Sequence, residues 1–272
     1  VMFQQSVPTI SLIGVGVMGE AILASFIAAV GRSNVRITDG RAEHGQQVAS
    51  DHQVRWAASN VEAVTDCDVV VIAVKPQDFD ALAHEIRPHL NDDVLVVSVA
   101  AGVTTSRIRE GLGHNVRTVR VMPNTPATIG RGVCALSGGE GTTRRDLDLV
   151  AELLAGTGTV EVVPEELQDT VTAISGSGPA YVFYLIEAMT EAGAQGGLDR
   201  SVAQRLATQT VAGAAAMAAS SDVDPVELRR RVTSPGGTTA AAIEEFDARG
   251  VAEGVIAGAR KAWERSRELG AD

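Results

Sequence analysis

The sequence predicts an α/β domain built on a doubly wound, mainly parallel sheet, residues 1–163, followed by an all-helical domain, residues 164–272. Three observations carry this. Apolar, β-branched runs alternate with helix-like stretches through the first half. A G-x-G-x-x-G pattern joins the first such run to the first helix. After Pro164 the strand signals stop and an alanine-rich helical pattern takes over.

The strands come first. Thr9–Ile13 is a short apolar strand and Val35–Thr38 a second. "DVVVIAV" (Asp68–Val74) and "DVLVVSV" (Asp93–Val99) are continuous β-branched runs, the pattern of strands covered on both faces. Val116–Met122, Gly132–Leu136 and Thr159–Val163 complete the set. Helices are expected at Met18–Val30, Glu43–Ser50, Phe79–Pro88 and Thr143–Leu154. In the second half they are expected at Pro179–Gly193, Ser201–Ser220, Pro225–Val232, Thr239–Arg249 and Val251–Leu269. The residues before Thr9 read as a disordered terminus.

Composition narrows the function classes. A chain of 272 residues is long enough for one large or two modest domains, and with 45% hydrophobic and 3% aromatic residues the core must be aliphatic. The net charge of −11 and the lack of a basic tract disfavour nucleic-acid and anionic-membrane partners, which need concentrated positive surface. No segment reads as a secretory signal or a membrane span. Cys67 and Cys134 lack metal or redox spacing and read as reduced, buried thiols of a cytoplasmic protein. No metal site is expected.

The glycine pattern carries the first chemistry. In "ISLIGVGVMGEAI", Gly14 suits a tight turn, Gly16 a close approach of pyrophosphate to the backbone, and Gly19 close helix–strand packing. Val17 and Met18 open the helix, whose N-terminus attracts phosphate charge. This is the dinucleotide-binding fingerprint of a Rossmann domain. Two residues past the second strand point to different cofactors. Asp39 suits the ribose hydroxyls of NADH, whereas Arg41 suits the 2′-phosphate of NADPH.

In such sheets ligands sit beyond the carboxyl ends of the strands. Ala73, Val74, Lys75 and Pro76 end one strand. Ala100, Ala101 and Gly102, all small, end another and admit a flat ligand. Asn124, Thr125 and Pro126 follow Pro123 in a stiff polar turn at the nicotinamide end.

The helical half holds two turns of one kind: "SGSGPAY" (Ser175–Tyr181) and "SPGGTT" (Ser234–Thr239). Both combine Gly, Ser and Pro at a helix start, where unpaired amides and the helix dipole suit a carboxylate. Neither contains a charged residue, and none of the five histidines falls in them.

Taken in order, Gly14–Gly19, Ala73–Pro76, Met122–Pro126, Ser175–Tyr181 and Thr233–Thr239 resemble the pyrroline-5-carboxylate reductases over nearly the whole chain. The resemblance implies NAD(P)H-dependent reduction of 1-pyrroline-5-carboxylate to L-proline. It implies an active site between the dinucleotide domain of one subunit and the helical, dimerisation domain of another, hence a homodimer or an oligomer of dimers. It assigns the substrate carboxylate to the backbone amides and hydroxyls of Ser234, Gly237, Thr238 and Thr239, with the Thr239 hydroxyl near the ring nitrogen. Asn60 matches a position contacting the adenosine. Arg41 matches the 2′-phosphate position, favouring NADPH, while Asp39 departs from the family's small or polar residue and keeps NADH open.

Two other readings compete. One is a hydroxyacid dehydrogenase or imine reductase of this architecture; hydroxyacid dehydrogenases usually place a lysine on a second-domain helix, but Ala180–Gly193 holds none and the only lysine of that domain is Lys261. A non-catalytic dinucleotide sensor would leave the two carboxylate-suited turns unexplained.

Overall fold

A computed structural model describes residues 7–113 and 115–271 of the chain. Of the residues before Thr9, read as a disordered terminus, 1–6 fall outside the described residues, while Val7 is exposed and Pro8 buried.

The elements run β1 (Ile10–Ile13), α1 (Val17–Val30), β2 (Val35–Thr38), α2 (Ala42–His52), β3 (Arg55–Trp56), α3 (Asn60–Val64), β4 (Val69–Ile72) and α4 (Phe79–Ile86). They continue β5 (Leu95–Ser98), α5 (Thr105–Leu112), β6 (Arg117–Met122), β7 (Gly132–Gly138), α6 (Arg144–Leu154), β8 (Gly158–Val162) and α7 (Gln168–Val171). The remainder is helical: α8 (Gly178–Gln195), α9 (Arg200–Ala219), α10 (Pro225–Arg231), α11 (Thr238–Ala248) and α12 (Val251–Ala271).

Among the described residues the sheet has eight strands in the order β3-β2-β1-β4-β5-β6-β7-β8. Every pairing is parallel except β6 with β7. The order reverses between β1 and β4, which is the crevice a doubly wound sheet offers to ligands. The β-branched runs behave as their composition requires. β1, β4 and β5 are buried at every position, and apolar side chains pack on both faces of the sheet. Local caps set the helix boundaries. Thr143 forms a capping box with Asp146 at the start of α6, and Thr104 caps α5 by accepting the amide of Arg107.

The chain divides into two compact units. The first runs through Gly176 and includes the chain from Trp263 onward; the second is Ser177–Ala262. This division differs from the expected boundary at Val163–Pro164. Residues 164–176 stay with the sheet because polar side chains tie them there. Gln168 donates to Ala135 O at 3.2 Å and to Ser137 Oγ at 2.8 Å, while Ser137 Oγ donates to Val163 O at 2.8 Å. The Glu165 carboxylate accepts both the amide (2.7 Å) and the hydroxyl of Thr105, and pairs with the buried Arg120 at 3.5 Å. The end of α12 returns likewise, with Ser266 Oγ donating to Asp169 Oδ1 at 2.7 Å.

The second unit is built on the antiparallel pair α8 and α9. Gly193 is small for a reason: a Cβ there would fall 2.8 Å from Ala203 Cβ, so the helices approach to backbone distance. The pair turns through Gly197 (φ +94°), and Asp199 caps α9 by accepting the amides of Ser201 and Val202. The unit lacks a core of its own. Among its described residues the only buried apolar side chains are Ala203 and Ala207.

Candidate functional site

The loops expected to bind cofactor leave one edge of the sheet. β1, β2, β3, β4, β5 and β6 are mutually parallel, so their carboxyl ends lie together. That edge gathers Gly14–Gly19, Asp39–Arg41, Asn60, Ala73–Pro76, Ala100–Gly102 and Asn124–Pro126.

The glycine loop is shaped by close approaches. Gly14 adopts φ +92° and donates to Thr38 O at 2.8 Å, and a Cβ there would lie 2.7 Å from Ala73 O. A Cβ at Gly19 would fall 2.1 Å from Gly14 O. At Gly16 the situation is reversed, because a Cβ would meet nothing within 4 Å. Gly16 is also the N-cap of α1 and provides no side-chain cap, so the first-turn amides at Val17 and Met18 are left for an outside acceptor. Two glycines thus close the loop and the third leaves a cradle.

Asp39 is held by the protein itself. Its Oδ2 accepts Val15 N at 2.9 Å, and its Oδ1 accepts Arg41 N at 2.9 Å and Arg41 Nε at 3.2 Å. Burial alone would raise this carboxyl; the Arg41 and Val15 amides and the Arg41 guanidinium outweigh it and hold it below the ordinary aspartate range. The Asp39 side chain is 8% exposed and that of Arg41 66% exposed, so the guanidinium stands outward from a buried anchor. His44 Nε2 lies 2.9 Å from Val15 O; a carbonyl only accepts, so that ring nitrogen carries hydrogen.

Asn60 opens α3 and donates to Glu85 Oε2 at 2.8 Å. Lys75 is exposed, caps the short turn Pro76–Asp78, and follows Ala73, whose amide extends the sheet by donating to Ile13 O at 2.8 Å. Ala100 is buried, and Gly102 turns at φ +76°.

Asn124 is 8% exposed and engaged at both ends of its amide. Its Oδ1 accepts Val133 N at 2.9 Å and its Nδ2 donates to Ser175 O at 3.1 Å. Sequence reasoning missed both partners, since neither a main-chain amide nor a carbonyl leaves a mark on residue type. Thr125 is exposed and Pro126 half-buried, in a tight turn closed by Gly130 at φ +67°.

In the second unit, Ser234–Gly237 forms a β-turn with Gly237 N donating to Ser234 O at 3.0 Å. Pro235 takes its second position and Gly236, at φ +70°, its third, which is the type II pattern. The turn delivers the chain to α11, whose N-cap Gly237 supplies no side-chain bond and whose first turn holds no acid. The first helical bond is Ala241 N to Gly237 O at 3.2 Å, so the amides of Thr238, Thr239 and Ala240 precede the ladder. Ser234 and Thr238 are exposed and Thr239 half-buried. The start of α8 repeats the arrangement with Ser177 as N-cap, no side-chain bond, Pro179 in the first turn and no acid there. A five-residue π-turn, Thr172–Gly176, leads up to it. These are neutral sites rich in amides, suited to an anion.

Among the described residues no group of three His, Cys, Asp or Glu side chains could hold a metal ion, and no helix is long and apolar enough to cross a membrane.

Comparison with known proteins matches two stretches of the chain. Residues 165–269 match the family described as pyrroline-5-carboxylate reductase dimerisation, and residues 9–102 match NADP oxidoreductase, coenzyme F420-dependent. The chain is 42% identical to a pyrroline-5-carboxylate reductase of Pseudomonas aeruginosa, over 97% of both chains. Its structure is similar to that of the Coxiella burnetii enzyme of that name, with a TM-score of 0.92, 35% identity, and coverage of 97% of this chain and 99% of the other. A Plasmodium falciparum pyrroline carboxylate reductase solved with NADP bound gives a TM-score of 0.83 at 28% identity, covering 97% and 98%.

Proposed function

The chain belongs to the pyrroline-5-carboxylate reductase family, and from that premise we propose that it reduces 1-pyrroline-5-carboxylate to L-proline, the last step of proline biosynthesis. NADPH is the reductant, with NADH the alternative that Asp39 leaves open. The observation that carries the reading is the uncharged turn Ser234–Gly237 feeding the uncapped N-terminus of α11.

The cofactor fits the sheet edge. The open face at Gly16 and the free first-turn amides of α1 take the pyrophosphate. Arg41, exposed and anchored through Asp39, takes the 2′-phosphate; Asn60 takes the adenosine, and the loops at Ala73–Pro76, Ala100–Gly102 and Thr125–Pro126 line the remainder. When bound, the reduced nicotinamide supplies hydride for the ring carbon.

The chain's own residues handle the substrate. The amides at the start of α11 and the hydroxyls of Ser234 and Thr238 seat the carboxylate, while the Thr239 hydroxyl bonds the ring nitrogen. The C=N bond takes a hydride at carbon and a proton at nitrogen. A substrate bound as the iminium already carries that proton, so orientation and hydrogen bonding suffice. This explains a substrate turn without histidine, carboxylate or lysine.

The second unit is incomplete alone. Phe183, Tyr184, Met217, Val255 and Ile256 are all exposed, against two buried alanines. A second copy of the chain covers these faces, so the working form is a homodimer or an oligomer of dimers, in the cytoplasm. The substrate turn of one subunit then serves a nicotinamide held by the other. Incubation with NADPH and 1-pyrroline-5-carboxylate, following absorbance loss and proline formation, tests the reading. Proline is expected in equal amount to NADPH consumed. Binding of NADPH with no turnover would favour the sensor reading instead, and turnover restricted to 2-hydroxy acids or other imines would favour the related oxidoreductases.

A further inference from the structure

The end of β6 grips the π-turn at two consecutive residues. Asn124 Nδ2 donates to Ser175 O at 3.1 Å, and a Cβ on Gly176 would fall 2.7 Å from Met122 Cε, so the thioether tip rests on that glycine. The other end of the Asn124 amide is fixed by Val133 N at 2.9 Å, which anchors the side chain to β7. The gripped segment is the π-turn Thr172–Gly176, a rare geometry that occurs mostly as single turns. Ser177, the N-cap of α8, follows directly in the chain.

We propose that Asn124 is a positioning residue. Its side chain holds the Ser175 carbonyl and so sets the conformation in which the chain enters the Ser177–Tyr181 turn, while the neighbouring Thr125 and Pro126 are the part of that loop left for the cofactor. This replaces direct cofactor contact by the Asn124 side chain. The proposal rests on the reading of Ser175–Tyr181 as a substrate-side turn, and its first measurement is independent of that reading.

That measurement is amide hydrogen exchange on the full chain without cofactor. Asn124→Asp keeps an oxygen for Val133 N but replaces the donor to Ser175 O with a second carboxylate oxygen, which removes the bond and sets a charge against that carbonyl. Exchange is expected to rise about tenfold across 172–180 while 9–20 and 132–138 keep wild-type rates. Asn124→Ser is the second variant should the aspartate prevent folding; its hydroxyl is too short to span both partners, and exchange across 172–180 rises with it as well. NADPH affinity, read by fluorescence titration, stays within about twofold, and kcat for 1-pyrroline-5-carboxylate falls about 10- to 100-fold. Unchanged exchange at 172–180 overturns the clamp. Raised exchange with lost NADPH affinity overturns positioning in favour of cofactor contact, and raised exchange with unchanged kcat overturns the link to substrate. If the wild-type chain does not turn over this substrate, the function reading fails while the exchange result still decides the clamp.

Discussion

The amide of Val15 donates to the Asp39 carboxylate across 2.9 Å, joining the glycine loop after β1 to the end of β2. The same carboxylate receives Arg41 through its amide and its Nε, so one buried group sets both the glycine loop and the arginine proposed for the 2′-phosphate.

Asp39→Asn removes the charge and retains the shape. Unfolding stability at neutral pH should fall by about 1–2 kcal/mol, the scale of a charge-assisted hydrogen bond. The sign follows from the lowered carboxyl. Its stabilisation is full above the ordinary aspartate value of 3.8 and is lost as pH falls through the lower folded value. Urea unfolding of both proteins across pH should therefore show a gap that closes below that range. A gap independent of pH would assign the effect to packing.

Gly19→Ala drives a methyl group against Gly14 O, at 2.1 Å without relaxation. The obstacle is backbone, so α1 must shift. A loss of about 3 kcal/mol in stability is expected in thermal unfolding, at the upper end for overpacking. NADPH titration should show weakened binding. Gly16→Ala, with open space around its Cβ position, should keep stability and lose only cofactor affinity.

Self-association is testable at the exposed faces of the second unit. Sedimentation of the wild-type chain at micromolar concentration should give no monomer. Phe183→Glu puts charge in place of an exposed aromatic side chain of α8, and should yield smaller, less stable particles with little turnover. A wild-type monomer with full activity would contradict the two-subunit site.

Neither cysteine should react with thiol reagents in the folded protein. Burial pushes the Cys67 thiol up to about 12 and also raises Cys134, which lies 3.3 Å from Thr157 Oγ1. Labelling should appear only on unfolding, and Cys67→Ser or Cys134→Ser should leave kcat unchanged.

The sequence carried the parallel strands well because β4 and β5 are buried on both faces, which demands unbroken β-branched runs. It also placed the long helices to within a few residues. β3 went unseen because it has two residues, and α3 because it has five. α5 was hidden in "TSRIREGL", where only Ile108 and Leu112 mark a buried apolar face. The allegiance of residues 164–176 depends on Glu165 and Gln168 finding partners far along the chain, and residue type alone does not announce such partners. Asp39 and Asn124 show the same limit at the site. Both were legible as polar residues at the proper strand ends, but the atoms that occupy them are main-chain amides, a main-chain carbonyl and a neighbouring arginine.

The proposed substrate seat is a neutral turn, Ser234–Thr239, with the Thr239 hydroxyl on the ring nitrogen. Thr239→Val removes that hydroxyl at nearly constant volume on a helix whose start needs no side-chain cap. Steady-state reduction of 1-pyrroline-5-carboxylate, with NADPH affinity measured in parallel, is the direct test. We expect kcat to fall about 10²–10³-fold, the worth of one positioned donor of about 2–4 kcal/mol, with NADPH binding unchanged. Wild-type turnover by the valine variant would contradict it.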